Sequence, residues 1–122
     1  MAILDSFEMV NDIKPSVFIT LRNSTITFSK SSIESLNYAE YVHMYIDRDN
    51  HQVAFQPCEQ DASSIVFYEQ PAPGKQLIVR ITSTSKAKML MELAEITDCG
   101  KGIRYYGEYY QEENVLVFTL KQ

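Results

Sequence analysis

The chain has little with which to do covalent or metal chemistry: two cysteines, two histidines and no recognisable catalytic motif in 122 residues. Cys58 and Cys99 stand apart in QPCEQD and TDCGKG, without CxxC spacing or a histidine nearby. That excludes the usual ligand spacing of a zinc site and reads as two reduced thiols. His43 and His51 flank a polar DRDN turn carrying Asp47 and Asp49. Strand alternation sets the two histidines apart, so exposed hairpin polars explain them better than an acid/base or metal site. Ser31 lacks a nucleophile elbow, and GKG at 100–102 is too short for a phosphate loop and reads as a helix C-cap. No catalysis, metal or cofactor is expected. Long apolar runs are also missing, and the opening MAILDSFEMVNDIKP places Asp5, Glu8 and Asp12 where a signal peptide needs cations. The expectation is a cytoplasmic protein with no membrane association.

What is present suits one domain over residues 1–122. Apolar residues make up 45% and charged residues 22%, with eight Tyr and six Phe, a globular balance enriched in strand-favouring aromatics. The net charge of −5 hides a pattern. Residues 31–70 hold seven carboxylates against Arg48 alone, whereas residues 71–88 hold Lys75, Arg80, Lys86 and Lys88 with no acid. Such segmentation describes either solvated faces or a dipolar surface that steers a charged partner.

Periodicity supplies the elements. SVFITLRN (16–23) and TITF (25–28) read as strands, and Ser31 with Glu34 fits a capping box for a short helix that buries Ile33 and Leu36. YVHMYI alternates, with Val42, Met44 and Ile46 on one face, and HQVAFQP returns after DRDN. SSIVFY (63–68) is another candidate strand. QPAPGKQ, with Pro71, Pro73 and Gly74, is the one stretch of linker composition, placing a linker at 69–76. LIVRIT, an amphipathic helix carrying Met89, Leu90, Leu93 and Ile96 to about Asp98, and the pair IRYYGEYY and VLVFTL around QEEN complete the chain. A first SFEMVNDI reads as a helical turn or an arm.

The order strand, helix, hairpin thus occurs twice, with RITSTSK echoing TITFSK and QEEN echoing DRDN. Each unit alone leaves an apolar strand face uncovered, so a second copy over 77–120 is needed to complete the core begun by 16–58. Residues 25–57, ITFSKSSIESL followed by YVHMYIDRDNHQVAFQP, resemble the swapped-hairpin barrel of the AbrB and MazE superfamily, with Ser29 for its helix-entry proline and Ala39–Glu40 for its glycine and aspartate. The resemblance implies an α+β fold: a small β-barrel of swapped-hairpin type, here built from two strand-helix-hairpin units in one chain.

It also implies DNA as the partner, in a non-enzymatic transcriptional regulator, with Arg22, Lys30, Arg80, Lys86 and Lys88 at the strand-to-helix corners as nucleic-acid-binding residues. The alternative is a phage- or mobile-element-encoded inhibitor, antitoxin-like or anti-CRISPR-like, that covers a nucleic-acid-binding protein with acidic groups. Its partner-binding residues would be Asp47, Asp49, Glu59 and Asp61 with Tyr106 and Tyr110, the outward pair of the tyrosine-rich strand if Tyr105 and Tyr109 face the core. A homodimer is left open.

Overall fold

The computed structural model describes residues 16–120. They form a nearly closed antiparallel barrel of eight strands with two helices. In chain order the elements are β1 (Phe18–Leu21), β2 (Thr25–Phe28), α1 (Lys30–Ser35), β3 (Tyr41–Asp47), β4 (Gln52–Pro57), β5 (Ile65–Val66), β6 (Val79–Thr82), α2 (Thr84–Ala94), β7 (Ile103–Tyr110) and β8 (Val115–Thr119). Around the wall the strands run β5-β3-β4-β8-β7-β1-β2-β6. The initial SFEMVNDI lies outside the described residues.

Alternation decides which side chains fill the interior. Ile19 and Leu21, Ile26 and Phe28, Val53 and Phe55, Val79 and Ile81, and Leu116 and Phe118 are all buried at i and i+2 on their strands, and Val42 joins them from β3. At the centre Phe28 meets Phe55 at 4.9 Å and Phe67 at 4.8 Å between ring centroids, both edge to face. That is the arrangement aromatic quadrupoles favour. Tyr105 and Tyr109 pack half-buried against this core while Tyr106 and Tyr110 face out, as the period-two reading of β7 requires.

The helices close the ends. β2 and β6 are antiparallel neighbours, so α1 after β2 and α2 after β6 sit at opposite ends of the barrel. Ser29, not Ser31, caps α1: its Oγ accepts from the Ser32 amide and, at 3.1 Å, from the Phe18 amide of β1. The capping-box spacing therefore misplaced the start by two residues, because a buried Ser29 serves the helix and the neighbouring strand together. Ile33 and Leu36 are buried as expected. Ser83 caps α2 by accepting from the Lys86 amide, and the helix ends at Ala94 with Glu95 left-handed, short of Asp98. β5 is shorter than SSIVFY suggested, since only Ile65 and Val66 pair with β3.

Strand, strand, helix, strand, strand occurs twice along the chain, and the wall repeats it. The β3–β4 and β7–β8 hairpins share one register, in which Asp47 corresponds to Tyr110, His51 to Asn114 and Gln52 to Val115. Both four-residue loops end on a left-handed residue, His51 at φ 54° and Asn114 at φ 53°. β1 flanks β7 as β5 flanks β3, and these two pairs together with β2–β6 and β4–β8 join the two sets. Segment 69–76 connects β5 to β6, inside the second set of five elements.

Candidate nucleic-acid interface

The outward positions of three adjacent strands, β6, β2 and β1, carry no carboxylate, and the neighbouring β7 carries one, Glu108, beyond Tyr106. On β6 they are Arg80 and Thr82, on β2 Thr25 and Thr27, on β1 Phe18 and Thr20, and on the first half of β7 Arg104 and Tyr106. The register aligns them across the wall: Arg80 lies opposite Thr27, Thr27 opposite Thr20, and Thr20 opposite Arg104. Two threonines between two arginines make a row perpendicular to the strands. Adjacent strands stand about 4.8 Å apart, so the guanidinium-bearing residues begin about 14 Å from one another.

Next to that row, Phe18 lies opposite Tyr106, with ring centroids at 5.8 Å, and the Arg104 guanidinium lies 3.9 Å over the Phe18 ring. Stacking holds Arg104 flat against the sheet rather than free in solvent. Tyr106 is 57% exposed and offers a ring face beside it. Thr27 Oγ1, in the middle of the row, is covered by its neighbours and has no hydrogen-bond partner. On the other flank the β1–β2 turn brings Arg22 level with Thr25, bonded from the Arg22 amide to the Thr25 carbonyl at 2.9 Å.

Of the cations expected at the strand-to-helix corners, the fold thus places Arg22 and Arg80 on this face. Lys86, in the first turn of α2, lines a cavity of about 410 Å3 together with Arg80. Lys88 is two helical positions on, about 200° round the axis from Lys86. Lys30 stands at the opposite end of the barrel and lies 4.0 Å from Glu34 across one helical turn. Arg104, Thr20, Thr27 and Phe18 were not foreseen. Alternation within IRYYGEYY already puts Arg104 beside Tyr106, but that β7 lies two strands from β2 is a long-range fact the local pattern does not carry.

Apart from Glu108 on β7, the carboxylates lie elsewhere, and several are engaged locally. Asp47 accepts from the Asn50 side chain at 2.7 Å and from its amide, which holds its pKa below the ordinary 3.8. Asp61 is also held low, first by the Ser63 amide and then by His43, whose Nε2 is 2.8 Å away. Asp98 is lowered by the Gly100 amide and the Asn23 side chain, a contact that ties the loop after α2 to the β1–β2 turn. Asp47 and Asp49 lie at the turn end of the β3–β4 hairpin, whereas Glu59 and Asp61 follow its other end, so this acidic set divides between two regions. Tyr110 donates to Glu108 at 3.1 Å, and that bond raises its phenol pKa. His51 is bonded through Nδ1 to the Leu93 carbonyl at 2.7 Å, far from His43 in its role as in its place. Burial pushes both thiols upward, with Asp61 beside Cys58 and Asp98 beside Cys99 adding to it, and both cysteines are free.

Among the described residues no group of His, Cys, Asp and Glu is arranged to hold a metal ion, and no helix is long and apolar enough to cross a membrane. No family model, no curated protein and no solved structure matches this chain.

Proposed function

We propose that this protein is a non-catalytic, DNA-binding regulatory protein that lays the outer face of β6, β2, β1 and β7 against the nucleic acid. The row Arg80–Thr27–Thr20–Arg104 carries this reading. Guanidinium groups are donors that contact phosphate oxygens, so Arg80 and Arg104 make the contacts while Thr27, its hydroxyl covered, spaces them, and a row without carboxylates concentrates positive potential on an otherwise acidic molecule. Arg22 and Lys86 extend the row along the strand direction, and Phe18 and Tyr106 supply apolar ring surface next to it. The finer fold reading, a single-chain barrel of swapped-hairpin type, is part of the same proposal. It is supported by the way β3–β4 inserts between β5 and β8 while β7–β8 inserts between β4 and β1, so that hairpins of the two sets alternate around the wall.

The test is fluorescence anisotropy with a labelled duplex at low salt. Binding should weaken linearly with the logarithm of salt concentration, and Arg80→Glu with Arg104→Glu should reduce affinity about 10- to 100-fold and lower the salt slope by about two contacts. Asp47→Lys with Asp49→Lys should leave DNA binding intact. If that pair of changes instead abolishes the native activity while the arginine reversals do not, the protein acts through its acidic side on a protein partner.

A further inference from the structure

We infer that the barrel is left open between β5 and β6 to receive an extended peptide from a partner protein, one in which apolar and acidic residues alternate. This inference does not depend on the nucleic-acid reading.

The argument begins with the internal correspondence. Tyr105 of β7 and Val42 of β3 are equivalent positions of the two hairpins, and they pair with Ile19 of β1 and Ile65 of β5 respectively. Ile65 is therefore the counterpart of Ile19, and Phe67 that of Leu21. In the first set β1 and β2 are joined by the three residues Arg22, Asn23 and Ser24 and pair directly, Ile19 with Phe28 and Leu21 with Ile26. In the second set residues 67–78 stand where that tight turn would be, and β5 and β6 are the two ends of the sheet with no further strand paired to them among the described residues. Between them lies the cavity of about 410 Å3, lined from the β5 side by Ile65, Val66 and Phe67 and from the β6 side by Ile78, Arg80 and Ile81.

β6 presents a strand edge of four residues to the cavity and β5 a short edge at Ile65 and Val66, and such backbone groups are best satisfied by another extended chain. The core keeps the two sides in place without that bond: Phe67 packs on Phe28 at 4.8 Å, and Phe28 lies opposite Val79 of β6. The occupant's chemistry follows from the lining. Buried Phe67 and Ile81 form an apolar floor, and Val66 and Ile78, 50% and 53% exposed, add apolar rims. Arg80 and Lys86 stand at the rim and form no ion pair among the described residues, against the single carboxylate of Glu69 in the lining. A strand inserted here points alternate side chains to the floor and to the rim. Apolar residues suit the first set of positions and acidic residues the second.

A short fluorescein-labelled peptide of alternating Val and Glu is the probe, with a Val–Lys peptide and a Val–Glu peptide interrupted by a central proline as controls. The Val–Glu peptide should saturate the anisotropy signal, and amide exchange should slow within β5 (65–66) and β6 (79–82) on its addition. Arg80→Glu with Lys86→Glu should weaken it by about tenfold and favour the Val–Lys peptide instead. Arg104→Glu, on the far side of the outer face, should leave peptide affinity unchanged while lowering DNA affinity, so the two proposals fail separately. The inference is overturned if no anisotropy change occurs up to about 1 mM peptide, a concentration at which even very weak sites fill. It is equally overturned if the proline-interrupted peptide binds as well, or if the protected amides lie away from β5 and β6.

Discussion

Individual residues in the barrel carry unequal weight, and Gly107 carries much of it. It faces inward on β7, where a Cβ would stand 2.3 Å from the Val117 carbonyl and 2.5 Å from the Phe118 ring. Tyr105 and Tyr109 flank it on the same face, so the glycine is what lets Phe118 sit against the wall. Gly107→Ala should destabilise the fold by about 2 kcal/mol or more through overpacking, read as a lower urea midpoint. Ser29 is the second such residue, since its buried hydroxyl accepts from the Phe18 amide and the Ser32 amide and pairs with Ser32 Oγ. Ser29→Ala should cost about 1–2 kcal/mol, more than Ser31→Ala, which removes no cap. Comparing the two midpoints locates the helix start energetically.

At the scale of elements, the loops are held by carboxylates. Asp47 organises the β3–β4 turn through Asn50, Asp61 the segment after β4 through Ser63 and His43, and Asp98 the segment after α2 through Gly100 and Asn23. All three have folded pKa values below the ordinary 3.8. Folding therefore gains from them in full above that value, and the gain is lost as pH falls through the lower folded values. Urea midpoints should be flat from neutral pH to about pH 5 and fall below about pH 4, and a variant with all three changed to Asn should show a shallower acid decline. The two matched hairpin loops make a separate prediction. Asn114 is left-handed, so Asn114→Gly should be tolerated to within about 0.5 kcal/mol, whereas Asn114→Val should cost more than 1 kcal/mol, at about the level of backbone strain. Thermal midpoints of the two variants check it.

The whole molecule is a barrel whose two sets of strands alternate around the wall, so neither set has a neighbour of its own on every side. β5 is held by β3 and β6 by β2, while residues 67–78 between them carry no strand. Cutting the chain in segment 69–76 with a protease, after a cleavage site is inserted there, should leave the two fragments associated as one species on size-exclusion chromatography. They should separate only in denaturant. Two products that part in native buffer would mean that the interleaved pairing β2–β6, β1–β7 and β4–β8 contributes little to stability.

Much of this was determined by the sequence by itself. Eight strands and two helices follow from period-two alternation in stretches such as TITF, YVHMYI and IRYYGEYY, and from the i, i+4 apolar spacing of α2, because those patterns are local and each residue's face is set by its own backbone. The doubled element order was legible for the same reason. What the tertiary structure decided is who stands beside whom. Arg80, Thr27, Thr20 and Arg104 come from four strands spread over most of the chain, and only hydrogen-bond register between distant strands puts them in one row. The α1 cap moved to Ser29 because that hydroxyl also answers an amide of β1, a partner no helix rule contains. The open seam between β5 and β6 was equally invisible, since a strand edge is free or paired according to what the rest of the sheet brings to it, and not according to its own residues.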